Sequence, residues 1–121
     1  MSPCFQGRSV LPLIRGDAAY NTRQEIHYEF DYRQGALARG EQDPDEHLHW
    51  VVRDRRHKLV QFAHPELPPI LFDLETDPDE LHDVADQPQY QAALLEMSQR
   101  LLRWRMRNED QRAEHWASTL R

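Results

Sequence analysis

The sequence predicts an α+β domain: a small antiparallel sheet of about four strands with a long C-terminal helix packed on one face. Three observations predict it. From Glu25 onward apolar and polar residues alternate with a period of two, which marks a half-buried strand. Three more strand-like pieces follow at short separations, and short connections favour antiparallel neighbours. The longest periodic segment then carries Tyr90, Leu94, Met97, Leu101 and Trp104 at steps of 4, 3, 4 and 3, the spacing of one helix face.

Size and charge bound what such a domain does. The chain has 121 residues, with 15 Lys and Arg against 21 Asp and Glu, a formal charge of −6, and 39% hydrophobic residues. A single domain of this length buries about two thirds of the surface its unfolded form exposes. With a mean hydropathy of −0.89 this composition fills a core sparingly, so dependence on a neighbour, another subunit or a larger parent domain, is expected. No apolar run approaches the roughly 18 residues of a membrane span. The acidic balance argues against a general nucleic-acid binder, because counterion release needs a basic footprint. One cysteine, Cys4, forms no internal disulfide. No basic leader or apolar signal core is visible at the start, and a cytoplasmic location is the expectation.

Residues 1–24 read as an N-terminal docking segment. Within Gly7-Arg8-Ser9-Val10-Leu11-Pro12-Leu13-Ile14-Arg15-Gly16, a serine that can cap, a proline tolerated in a first turn and a terminating glycine predict one or two helical turns. Their apolar residues have little nearby to pack on. Residues 25–75 carry the strands. In the first, Ile26, Tyr28, Phe30 and Tyr32 share one face, with His27, Glu29, Asp31 and Arg33 on the other. Residues 34–47, with two Gly, one Pro and many charges but no periodicity, read as a long exposed loop. The remaining strands are expected at Leu48 to Arg53, Lys58 to Phe62 and Ile70 to Leu74.

Residues 76–108 read as helices. Asp77 can cap, Pro78 takes the first helical position and Glu80 completes a capping box, which predicts a short helical turn through about Ala85. Asp86-Gln87-Pro88 repeats the start signal, and a helix of about 20 residues, roughly 30 Å long, follows. Arg100, Arg103, Arg105 and Arg107 crowd its C-terminal half, where positive charge complements the helix dipole. Residues 109–121 are a polar tail bearing Trp116.

Candidate chemistry is sparse. His47-Leu48-His49 sets two imidazoles on one side of a strand, but zinc needs three or four convergent ligands and solvated histidines fit better. Asp73, Glu75, Asp77 and Asp79 alternate like a calcium loop, yet the positions that need Gly and Glu hold Pro78 and Val84. Arg53-Asp54-Arg55-Arg56-His57-Lys58 reads as a solvated hairpin turn with local ion pairs rather than a phosphate site. No nucleophile elbow, P-loop, dinucleotide fingerprint or C-x-x-C occurs. No catalytic, cofactor-binding or metal residue is therefore assigned. Partner contacts are expected at Leu11, Leu13, Ile14, Tyr90, Leu94, Met97, Leu101 and Trp104, although the helical stripe, little more than two heptads long, suits the sheet of its own chain better than a dimer seam.

The order of four segments resembles the C-terminal part of a sulfatase: Gly7 to Gly16, then Tyr28-Glu29-Phe30-Asp31-Tyr32-Arg33, then Val52-Arg53-Asp54-Arg55-Arg56-His57-Lys58-Leu59-Val60, then Leu71 to Ala85, closed by a helix. The resemblance covers about residues 7 to 108. The Glu29-Phe30-Asp31-Tyr32 step is similar to the phosphonate monoester hydrolase branch of the alkaline phosphatase superfamily. The resemblance implies a small C-terminal subdomain, an antiparallel sheet with a long helix, attached to a large α/β catalytic domain. It also implies a divalent metal and a formylglycine made within C-x-P-x-R, both upstream of the matched part. Cys4-Phe5-Gln6-Gly7-Arg8 has Gln6 where that motif has Pro, so Cys4 is not assigned the role. The expected function is that of a C-terminal fragment of a sulfatase-family hydrolase, inert alone, with a structural or oligomerisation role. The alternative is a free-standing α+β interaction module dimerising through the long helix.

Overall fold

The computed structural model describes residues 7–17, 23–40 and 43–119, the last helix by its backbone alone beyond residue 108. Cys4 and the side chain of Trp116 lie outside the described residues. Four strands, β1 (Ile26–Asp31), β2 (Leu48–Arg53), β3 (His57–Phe62) and β4 (Ile70–Asp73), form one sheet in the order β1-β2-β3-β4, each neighbouring pair antiparallel. The β2–β3 hairpin is closed by Asp54. Its Oδ1 accepts the N–H groups of Arg56 at 2.8 Å and His57 at 2.7 Å, the aspartate turn chemistry that ends one strand and starts the next.

Helix α1 (Leu11–Ile14) has Pro12 in its first turn, where the missing N–H is no loss. The Leu11 N–H reaches Ser9 Oγ at 3.3 Å. Gly16, at φ +74°, closes it, with the Gly16 N–H on Leu13 O and the Asp17 N–H on Pro12 O.

The expected loop at 34–47 contains a helix. Helix α2 (Arg33–Ala38) and a 3-10 turn (Pro44–His47) occupy much of it. The Asp31 carboxylate takes the Arg33 N–H at 3.0 Å, the Tyr32 N–H donates to His47 O at 3.0 Å, and Ala36 is fully buried. Six residues containing a glycine carry too little periodicity to announce this.

The opposite correction applies after β4. No helix forms between Asp77 and Ala85, and Glu80 sits at φ +56° with its carboxylate on the Lys58 ammonium instead of reaching back to a cap. Asp77 Oδ2 takes the His82 N–H at 2.8 Å. Asp83 Oδ1 takes the N–H groups of Leu71 and Ala85, each at 2.9 Å, and the Val84 N–H donates to Leu71 O at 2.9 Å. The segment is thus held without a helix: Asp77 and Asp83 cap backbone N–H groups within it, while Asp83 and Glu80 also tie it to β4 and β3.

A 3-10 turn (Pro88–Tyr90) leads into helix α3 (Gln91–Thr119). At 29 residues, about 44 Å, it is longer than expected, and the supposed tail from 109 continues as helix to Thr119. The apolar stripe of α3 lies on the sheet. Met97 and Leu101 are buried against Val52, Leu59 and Leu71, which face one another across β2, β3 and β4, and against Val84; Trp50, Tyr90, Leu94 and Trp104 border them.

Candidate functional site: the sheet face left uncovered by the helix

Directly opposed residues of an antiparallel sheet share a face. The register therefore assigns His27, Trp50, Val52, Leu59 and Leu71 to the α3 side. It assigns Tyr28, Phe30, His49, Val51, Val60 and Phe62 to the other. Strand β1 accordingly offers α3 its polar side. The His27 ring stacks flat on Trp104, centroids 4.5 Å apart and 5° from parallel, and Arg105 lies 4.5 Å over the Trp50 ring while bonding Glu29 Oε1 at 2.6 Å. Arg100 bridges Glu25 and Asp54, clasping α3 to the start of β1 and to the β2–β3 turn.

The apolar side of β1 faces away from α3. Phe30 is 41% exposed and Tyr32 53%. Rings follow one another across this face: Tyr28 meets Phe30 edge-on at 5.2 Å, Phe30 stacks on His49 at 4.8 Å and on Tyr32 at 6.0 Å, and His49 leans on Phe62 at 5.8 Å. Burial among these rings pushes the His49 imidazole below its ordinary value of 6.5, so it is neutral at pH 7. At this end of β2 and β3 the sheet edge carries a depression of about 170 Å³ lined by Leu48, His49, Trp50, Gln61, Phe62 and Ala63, of which Trp50 and Gln61 belong to the α3 side. Around these rings the face is carbon and one uncharged imidazole, with Arg53 and Lys58 farther along it.

The basic stretch at the β2–β3 turn is answered by carboxylates. Lys58 bonds Glu80, with Arg53 3.9 Å from it, and Arg56 lies 3.4 Å from both Asp73 and Glu75. Among the described residues no three His, Cys, Asp or Glu side chains are placed to hold a metal ion.

Of the residues expected at a partner surface, Tyr90, Leu94, Met97, Leu101 and Trp104 are placed against the chain's own sheet, whereas Leu11, Leu13 and Ile14 are exposed, Ile14 at 74%. Two surfaces escaped sequence reasoning. The ring face did, although the alternation of β1 was plain, because nothing local says which side of a strand a distant helix will cover. The second is an outer line on α3, Leu95, Leu102 and Met106, whose spacing of 7 and 4 was readable beside the stronger stripe.

The four-stranded antiparallel sheet thus has one face covered by the long helix and the other not covered by it. Residues 2–107 match the family model described as N-sulphoglucosamine sulphohydrolase, C-terminal, and the chain belongs to that family of sulfatase-type C-terminal domains. It is 34% identical over 117 residues to the multifunctional alkaline phosphatase superfamily protein PehA of Trinickia caryophylli, covering 93% of this chain and 22% of that protein. The phosphonate monoester hydrolase of Agrobacterium radiobacter superposes with a TM-score of 0.64 at 32% identity, over 90% of this chain and 21% of that one. A putative sulfatase from Bacteroides thetaiotaomicron shares the fold, with a TM-score of 0.69 at 21% identity over 90% and 22%. The chain thus spans about a fifth of the length of each.

Proposed function

We propose that this chain serves as the C-terminal subdomain of a larger sulfatase-like enzyme that hydrolyses a sulfate or phosphonate ester, and that it is catalytically inert alone. One observation carries the reading: nearly the whole chain matches, yet it accounts for only about a fifth of each relative. Its role is structural, covering one side of the catalytic domain and supplying subunit contacts. The resemblance implies a divalent metal and a formylglycine for such an enzyme. By that resemblance both would lie upstream of the matched part. A dimer built on the long-helix stripe is disfavoured, because that stripe is spent on the chain's own sheet.

The DNA upstream of the Met1 codon, read in frame, tests this. A long open frame containing C-x-P-x-R is expected, together with no turnover of an aryl sulfate or a phosphonate monoester by the 121-residue chain. Turnover by that chain, lost on Cys4→Ala, would overturn the reading.

A further inference from the structure

We propose that the sheet face carrying Tyr28, Phe30, His49 and Phe62 is the surface on which the rest of the enzyme seats, with apolar side chains of that partner packed on the exposed rings. This rests on the reading above and adds which face is used and what chemistry meets it. Contiguous exposed rings of this kind are rare on a surface that stays wet and mark sites of contact. The strand register places no carboxylate on the face: Glu29 and Asp73 belong to the α3 side, and the basic residues that do lie on it, Arg53 and Lys58, are turned to Glu80. Clustered aromatic rings, with charge kept to the Arg53, Lys58 and Glu80 group at one end, suit an interface core.

The occupant follows from length and order. About four fifths of each relative lies outside the matched part, and the matched family is by description a C-terminal one, so the missing chain precedes this one. In the order of the chain β1 is the first strand, and it is also an edge strand whose outward side bears Ile26, Tyr28 and Phe30. Covalent attachment presents it at an effective concentration on the order of millimolar, which a second copy must outcompete.

The test is thiol labelling in a Cys4→Ser background, with the labelled peptide identified by mass. Phe30→Cys and, as control, Ala92→Cys on the exposed first turn of α3 are made both in the 121-residue chain and in the polypeptide read from the continuous upstream frame. The expected result is that the Phe30→Cys thiol reacts about tenfold or more slowly in the long polypeptide, while the Ala92→Cys thiol reacts equally in both. Equal rates at both positions in a long polypeptide overturn the proposal and leave the proposed function standing. A frame that closes just upstream overturns both, and slowing of Phe30→Cys with rising concentration of the short chain assigns the face to a second copy instead. Circular dichroism of each variant separates protection from misfolding.

Discussion

Asp73 is 1% exposed and still ionised. Burial alone would push its carboxyl up. The Tyr90 hydroxyl at 3.0 Å, the Glu75 N–H at 3.2 Å and the Arg56 guanidinium at 3.4 Å outweigh burial and hold it below its ordinary 3.8. A carboxyl depressed in the folded state contributes stability above its unfolded value and loses it as pH falls through the folded one. Unfolding free energy should therefore drop below about pH 4, and Asp73→Asn should flatten that drop. Tyr90→Phe is expected to cost about 1 kcal/mol in a urea titration. His27 works with the opposite charge. Its side chain is 8% exposed, and Nε2 lies 3.2 Å from Glu25 Oε1 without an aligned hydrogen bond. Burial, helped by Arg100 and Arg23 and opposed by Glu25, lowers its pKa below 6.5. The fold holds the neutral ring, so stability present above pH 6.5 is lost as pH falls below it. The melting temperature should decline from pH 7.5 to 5.5, and His27→Phe, which keeps a ring on Trp104, should remove much of that decline; the same slope in both proteins would refute this role. His49, shifted the same way, accounts for the rest.

At the scale of elements, α3 and the sheet stabilise each other through few residues. Leu101→Ala, at a site 4% exposed between Val52 and Leu59 in the core cluster, should cost about 2–5 kcal/mol by chemical denaturation. The strands were legible almost to the residue: β2 matches its expected bounds, and β3 and β4 differ by one position at one end. Alternation and turn residues are local signals, and a two-residue period survives any tertiary context. Helix α2 was not legible, since its buried Ala36 and its closing bond from Tyr32 to His47 join residues that only folding brings together. The capping box at Asp77 to Glu80 was legible and misleading. Lys58, 22 residues away, takes the Glu80 carboxylate that the cap would need. Lys58→Met should therefore destabilise the 77–85 segment, seen as faster amide exchange at His82 and Val84, without changing exchange in α3.

For the molecule as a whole, the main core cluster lies on one side of the sheet and the exposed rings on the other, where Val51 is also buried. A chain of this length and charge supports one modest core, and it is used up between α3 and the inner face. The 121-residue chain should bind a dye such as ANS at its ring face, and Phe30→Asp should reduce the fluorescence while leaving the helical circular dichroism signal in place. Unchanged fluorescence would show that the dye, and the exposed surface, lie elsewhere, on Leu95, Leu102 and Met106 or on Leu11, Leu13 and Ile14. The sequence by itself determined the class of fold, the strand positions and the helix stripe, because each rests on spacing between near neighbours, and it carried the family resemblance in the order of its segments. Only the tertiary structure decided that α3 covers the His27 side of β1 and leaves the Phe30 side bare. Both sides of that strand satisfy the same alternation, and the choice is made by contacts between residues more than 70 positions apart, Arg100 with Glu25 and Arg105 with Glu29.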